Sequence, residues 1–140
     1  MQQYSQRQFI PRKPVRTFRD LEVYTRTLEC AIDIVKKISK SKTYGGFFQR
    51  EHMINCALSV PLWIAESHSL RFGDQKRGVL LLEQAMAGCN KMVVYLEELR
   101  GIYGIKADNE QFEELIKKYV DTRGKIFRLE KSWQKWDTPR

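Results

Sequence analysis

The sequence predicts an all-α fold, an antiparallel up-down bundle of four helices. Two observations lead to this prediction: apolar residues recur at helical spacing in four segments, and no segment shows the apolar–polar alternation of a strand. The chain has 140 residues, of which 42% are hydrophobic and 30% charged, so it can form one domain with a sizeable core. We expect a basic arm at residues 1–16, the bundle at 17–136 and a short tail at 137–140.

The first predicted helix begins after Thr17, which can cap it because Asp20 stands three residues later. Two glycines in "SKTYGG" mark its end. Between these signals the apolar residues are spaced by three and four, which is typical of a bundle helix. This stripe comprises Leu21, Tyr24, Leu28, Ala31, Val35 and Ile38.

The second predicted helix begins near Phe47 and contains a proline, in the segment "CALSVPLWIAES". Because proline lacks a backbone donor and clashes with the preceding turn, either the helix ends at Val60 or Pro61 kinks it. On a helical wheel Trp63 lies opposite the expected core face, as an interface anchor would. That core face comprises Ile54, Leu58, Pro61 and Ala65.

The third and fourth predicted helices have clear start and stop signals. The pair Gly73–Asp74 precedes the third helix as its cap region, and Gly101 and Gly104 mark its end. Asp108, with Gln111 three residues later, opens the fourth helix as a variant of the capping box. The stripes are Leu82, Ala85, Cys89, Met92, Leu96, Leu99 and Tyr103 in the third helix, and Phe112, Leu115, Tyr119, Thr122, Ile126, Leu129 and Trp133 in the fourth.

Several predicted helices carry a second apolar face, which a monomeric bundle does not need. Extra apolar surface on a helix predicts a subunit interface, so we expect a homo-oligomer. The alternative is a wide core in a small domain. The residues assigned to the interface are Val23, Cys30, Ile34 and Trp63 in the first two helices, and Ile116, Val120 and Phe127 in the fourth.

The formal net charge of +8 is concentrated at the two ends of the chain. Residues 1–60 hold 11 basic and 5 acidic side chains, residues 61–110 hold 6 and 7, and residues 111–140 hold 8 and 5. This asymmetry predicts a polyanionic partner, nucleic acid before membrane, although a charge that only maintains solubility is the alternative. No apolar run approaches the roughly 20 residues of a membrane span, and three cysteines at wide spacing indicate reduced thiols, so we expect a cytoplasmic protein without a membrane partner.

Basic residues in three places form the candidate nucleic-acid site. Those of the fourth helix fall within about 140° on a wheel, opposite its apolar stripe. Contacts to phosphates from such a surface provide affinity without reading sequence, so structured RNA or an RNA/DNA hybrid is the expected ligand. The alternatives are a solvated lysine face and, for the first helix, lysines that complement the helix dipole. The residues are Lys117, Lys118, Lys125, Arg128, Lys131 and Lys135 in the fourth helix, Lys36, Lys37, Lys40 and Lys42 at the end of the first, and Arg12, Lys13 and Arg16 in the arm.

The residues of a catalytic or metal site are absent from the sequence. His52 and Cys56 share a helix face, but zinc requires three or four ligands and His68 is distant along the chain. No phosphate-binding G-x-x-x-x-G-K-[ST] loop is present, and no nucleophile is paired with a base. We therefore predict a protein without enzymatic activity, metal or cofactor.

Two segments carry a resemblance to a known family. "FRDLEVY" and the segment Ser59–Ser67, "SVPLWIAES", resemble the four-helix-bundle proteins encoded in intervening sequences of bacterial large-subunit ribosomal RNA genes. The small residues of Ala85–Gly88 are similar to a patch on the third helix of that family. The resemblance covers residues 17–135 and implies that Pro61 lies inside the second helix and kinks it. The chain departs from the family pattern at Trp63, Ser67 and Lys91, where the family has asparagine, glycine and often glutamate.

A related group is the accessory, or variability determinant, proteins of diversity-generating retroelements. The basic ends of this chain and Trp133 resemble that group more closely. The resemblance implies a basic pentameric barrel that holds a reverse transcriptase and its template RNA. Two alternatives stay open: a stand-alone intervening-sequence protein, and a protein-interaction bundle without a nucleic-acid partner.

Overall fold

A computed structural model of the chain describes residues 14–136 and shows four α-helices that pack against one another. Each helix packs on the next in the chain, and the first also packs on the last. Short 3-10 turns precede the first, second and fourth helices, and residues 14–136 contain no strand. The helices are α1 (Glu22–Ser39), α2 (Arg50–Leu70), α3 (Gln75–Tyr103) and α4 (Asn109–Trp136).

The predicted cap of α3 is present, whereas the predicted Thr17 cap belongs to the 3-10 turn before α1, which itself begins at Glu22 without a side-chain cap. The Thr17 side chain accepts a hydrogen bond from a backbone N–H of the 3-10 turn Phe18–Asp20, and the Asp20 carboxylate accepts from the Thr17 N–H at 3.2 Å. Asp74 caps α3 by accepting from the backbone N–H of Arg77 at 3.3 Å. These side chains satisfy backbone donors that the start of the 3-10 turn and the start of α3 would otherwise leave without partners.

Pro61 lies inside α2, which is helical on both sides of it, so the helix does not end at Val60. A glycine of α3, Gly88, allows the two helices to approach closely beside this proline. A Cβ at Gly88 would lie 2.7 Å from Cγ2 of Val60 and 3.0 Å from Cζ3 of Trp63. The small residue predicted at this position on α3 is therefore required by packing.

The apolar stripes predicted for α3 and α4 form most of the observed core. On α3 the six residues from Leu82 to Leu99 in that stripe are at most 1% exposed, and Tyr103 is half-buried. On α4 the first five members, from Phe112 to Ile126, are buried, while Leu129 and Trp133 pack against the core at its edge. These two predictions are confirmed.

The face of α1 predicted to form a subunit interface is part of the core, as are Leu21, Ala31 and Ile38 of the predicted core stripe. Val23, Cys30 and Ile34 are 5%, 2% and 1% exposed, so they cannot contact a second folded protomer. The polar residue Thr27 lies between Val23 and Cys30, so the sequence shows no continuous apolar stripe on this face of α1. The Thr27 hydroxyl donates to the Val23 carbonyl at 2.8 Å, which allows the side chain to be buried without an unsatisfied donor.

The core face of α2 is rotated from the predicted one. Leu58 is 46% exposed and Ile54 and Ala65 are half-buried, whereas Pro61 is buried as expected. The predicted orientation of Trp63 away from the core is wrong, because its ring is half-buried against Gly88. The residues of α2 that pack against α1 and α3 define this buried face. The observed buried face comprises Met53, Ala57, Val60, Pro61, Ile64, Ser67 and His68.

Among the described residues, α3 is the one helix whose length and apolar composition would allow it to cross a membrane. The central helix of a soluble core meets the same criterion. The buried stripe of α3 contacts α2 and α4, which accounts for its apolar character.

Candidate nucleic-acid interface

The six basic residues predicted on α4 separate into two groups. Four of them lie on the outer face of the helix, opposite the buried stripe, and are exposed. At a rise of 1.5 Å per residue, this row extends over about 27 Å. We call it the basic ridge: Lys117, Arg128, Lys131 and Lys135.

Lys117, Arg128 and Lys131 of the basic ridge face solvent. In the part of the chain that the structure describes, no carboxylate lies within ion-pair distance of Lys117, Arg128 or Lys131. Lys131 Nζ instead lies 5.1 Å from the centre of the Phe127 ring and 3.4 Å from Oε1 of Gln134. These cations are available to a ligand that brings its own negative charge.

The other two lysines of α4 belong to the contact with α1. Lys125 donates to Glu22 of α1 at 2.9 Å, and Lys118 lies 3.6 Å from Glu114 on its own helix. Arg26 joins the same network through Glu22 at 3.4 Å and Asp121 at 3.1 Å. The hydrogen bond from Lys125 lowers the pKa of Glu22, so the carboxylate stays charged and holds Lys125 in place.

The basic cluster at the end of α1 also divides. Lys36, Lys40 and Lys42 are exposed, whereas Lys37 is half-buried. Lys37 Nζ donates to Oε1 of Gln111 at 2.8 Å and lies 3.5 Å from Asp108. It also lies over the rings of Tyr44 and Phe112, at 5.4 and 5.3 Å from their centres. Lys37 is therefore part of the packing between α1 and the start of α4.

A groove between α1 and α4 brings the two predicted basic clusters together, which the sequence did not predict. It has a volume of 450 Å³, and Lys36, Lys37 and Lys118 line it. Asp33 and Glu114 line the same groove, so its charge is mixed. Lys117 also shares a groove with glutamates, so the most strongly basic surface is the C-terminal part of the ridge, at Arg128, Lys131 and Lys135.

Arg16 is exposed at the start of the described chain, and its backbone N–H donates to Asp20 at 2.9 Å. Arg12, Lys13 and the rest of the arm up to residue 13 lie outside the described residues, as does the tail at 137–140. Their predicted contact with nucleic acid stays a prediction.

The apolar residues of α4 assigned to an interface do lie at the surface, unlike those of α1. Val120 is 55% exposed and Phe127 is 42% exposed, while Ile116 is half-buried against the core. Leu58 and Leu62 form a second exposed apolar pair on α2, at 46% and 68%. These residues, rather than Val23, Cys30 and Ile34, remain available for contact with another chain.

The cysteines lie within or beside the core. Burial raises the pKa of Cys30 to about 11 and that of Cys89 to about 12. Burial also raises the pKa of Cys56, whose Sγ lies 3.5 Å from the Gly88 carbonyl oxygen. The thiols are consequently protonated near neutral pH, and residues 14–136 contain no group of three or more side chains suited to a metal ion.

No family model, curated protein or solved structure matches this chain. The four packed helices are compatible with a four-helix bundle, and no match identifies a family.

Proposed function

We propose that the protein is a non-catalytic, oligomeric accessory subunit that binds structured RNA or an RNA/DNA hybrid together with a reverse transcriptase. The observation that carries this proposal is the basic ridge, an exposed row of cations on α4 in which no described carboxylate lies at ion-pair distance from Arg128 or Lys131. Lys117, at the start of the ridge, shares a groove with three glutamates, Glu110, Glu113 and Glu114. A row of this length can meet several phosphates of one nucleic-acid backbone. The expected contacts recognise shape and charge rather than base sequence, because the ridge contains only lysine and arginine.

The resemblance to the accessory proteins of diversity-generating retroelements supports the choice of partner. Two features of the chain support that resemblance: Pro61 lies within a continuous helix, and Gly88 allows the neighbouring helix to approach. In the proposed protein the helices run up and down, α2 bends at Pro61, and the protein acts in the cytoplasm without a membrane, metal or cofactor.

The proposed assembly is a homo-oligomer of the pentameric ring type. Exposed apolar side chains on two helices support it, at Leu58 and Leu62 of α2 and at Val120 and Phe127 of α4. In a ring, the basic ridge of each protomer would repeat, so that weak phosphate contacts add. Light scattering at micromolar concentration tests this assembly: we expect the mass of five chains, and a monomeric mass would contradict it.

The same exposed apolar residues favour a second candidate, a bundle that binds only protein, and a stand-alone intervening-sequence protein is the third. Co-purification of the chain with its genomic neighbours, followed by sequencing of bound RNA, distinguishes the three. Enrichment of a reverse transcriptase and one structured RNA is the result we expect. Recovery of a protein partner without RNA would favour the interaction bundle.

A direct binding measurement tests the nucleic-acid component. A fluorescently labelled RNA hairpin is titrated with the full chain at about 0.15 M salt, and anisotropy reports binding. We expect saturable binding that weakens as salt is raised, because phosphate contacts release counterions. Absence of binding at micromolar protein would overturn the proposed function.

A further inference from the structure

A cleft opens at one end of the bundle, where α2 ends, α3 begins and the last turns of α4 pass. Its volume is 590 Å³, within the range of small-ligand sites. Val15, Leu21 and Leu129 provide apolar walls, and Phe72 and Trp133 add aromatic rings. The sequence stripes did not predict the cleft, because residues from four separate segments form it.

His68 lines this cleft, and one nitrogen of its ring is a buried hydrogen-bond donor without an acceptor among the described residues. Nη1 of Arg71 contacts His68 Nδ1 at 3.1 Å, and since a guanidinium can only donate, Nδ1 must accept. The neutral ring then carries its proton on Nε2, and burial together with the nearby Arg71 charge lowers the pKa of His68, which favours this neutral form. Nε2 is buried and has no partner among the described residues, and His68 is only 5% exposed. A buried donor without an acceptor costs free energy, and an acceptor supplied by a ligand in the cleft would offset that cost.

Aromatic rings at the cleft are arranged to contact a planar group. The Phe72 side chain is 84% exposed, and the Arg71 guanidinium lies over its ring, 4.3 Å from the centre. Deeper in the cleft, the rings of His68 and Trp133 lie 6.3 Å apart with an angle of 55° between their planes. Exposed aromatic rings beside an arginine are the platform on which unstacked bases are bound in RNA-binding proteins.

The cleft is continuous with the basic ridge. Ser132 and Trp133 line the cleft and directly follow Lys131 in α4. Arg128 and Lys135 lie one helical turn on either side of Ser132. A ligand that places an aromatic ring in the cleft and an anionic backbone along α4 would therefore match both surfaces.

We infer that this cleft binds one unstacked base of an RNA strand, with the base edge accepting from His68 Nε2 and the adjoining phosphates on the basic ridge. Every base carries an acceptor on its edge and a flat apolar face, which the donor and the aromatic rings require. This inference rests on the proposed function, since the ridge provides the phosphate contacts.

The test compares two labelled RNA oligomers of ten nucleotides, one with normal bases and one with abasic residues throughout. Both are titrated with the full chain and with the variants Phe72→Ala and His68→Phe. Phe48→Ala is the matched control, because Phe48 is also highly exposed, at 96%, and does not line the cleft. Thermal unfolding of each variant verifies that the fold is retained.

We expect Phe72→Ala to weaken binding of the normal oligomer about tenfold, from loss of base stacking. His68→Phe keeps an aromatic ring and removes the donor, and we expect it to weaken the same oligomer about threefold. Neither substitution should change binding of the abasic oligomer, and Phe48→Ala should change neither. Equal affinity of wild type, Phe72→Ala and His68→Phe for the normal oligomer would overturn the inference and leave the proposed function intact. Failure of the wild type to bind either oligomer would overturn the proposed function and the inference together.

Discussion

The outer face of α4 and its flank toward α1 carry the same kind of residue in different environments. On the outer face, Arg128 and Lys131 are exposed, with no carboxylate at ion-pair distance among the described residues. On the flank, Lys125 is paired with Glu22 of α1 at 2.9 Å, and only 28% of its side chain is exposed. The six cations predicted as one basic surface on α4 therefore differ: those on the outer face are available to a ligand, and Lys125 on the flank is neutralised by Glu22.

This difference teaches that the acidic residues of neighbouring helices decide which cations form a binding surface. Glu22 accepts from both Lys125 and Arg26, so one carboxylate of α1 engages two cations. Between exposed groups such pairs contribute only about 0.2–1 kcal/mol to stability. They nevertheless hold the lysine against its own protein and reduce its attraction for a phosphate.

Reversing the charge of the ridge should have the largest effect. The triple variant Lys117→Glu, Arg128→Glu, Lys131→Glu removes about three phosphate contacts and adds repulsion. We expect RNA-hairpin affinity at about 0.15 M salt to fall by about 100-fold or more, measured by anisotropy. The free energy of unfolding should change by less than about 1 kcal/mol, because all three side chains are exposed. Wild-type affinity in this variant would show that the ridge is only a solvated surface.

Single neutralisations compare the two faces directly. Arg128→Gln should weaken RNA binding about fivefold, the expected loss for one phosphate contact at this salt concentration. Lys125→Gln should weaken it less than about twofold, because Lys125 is already paired with Glu22. The same titration measures both variants, and equal losses would mean that pairing within the protein does not separate the faces.

The Lys125–Glu22 pair on the flank should affect the pH dependence of stability, and this is the smallest of the expected effects. The pKa of Glu22 is lowered from its ordinary value of 4.5, chiefly by the hydrogen bond from Lys125. A lowered folded-state pKa contributes stability above the unfolded-state value, and that contribution is lost as pH falls through the folded-state pKa. Urea unfolding between pH 7 and pH 3 should therefore show a shallower acid loss in Lys125→Gln than in wild type. Parallel curves for the two proteins would show that Lys125 does not contribute to the loss of stability in acid.

The sequence predicted the parts of the fold whose apolar pattern is simple. The stripes of α3 and α4 keep a regular spacing of three and four residues, with Thr122 as the polar member on α4, and the structure buries most of their residues as predicted. On α1 the buried face includes Thr27, whose hydroxyl donates to the Val23 carbonyl. A hydropathy pattern does not register that bond, so Val23, Cys30 and Ile34 were assigned to the surface.

The candidate site was predictable only as a set of basic residues. Charge and helical spacing identify the cations of α4, but the pairing of Lys125 joins residues 103 positions apart in the chain. The cleft was less predictable still, because Trp133 of α4 meets His68 and Phe72, at the end of α2, only in the folded bundle. Local sequence patterns do not specify contacts between residues that are far apart in the chain.

The salt dependence of RNA binding tests the central claim most directly. The wild type and the variant Lys117→Gln, Arg128→Gln, Lys131→Gln are titrated with one RNA/DNA hybrid duplex over a range of salt concentrations. If the ridge neutralises about three phosphates, the slope of log affinity against log salt should be steeper for the wild type by about 2.7. Identical slopes for the two proteins would contradict the account, since the three ridge cations would then make no phosphate contacts.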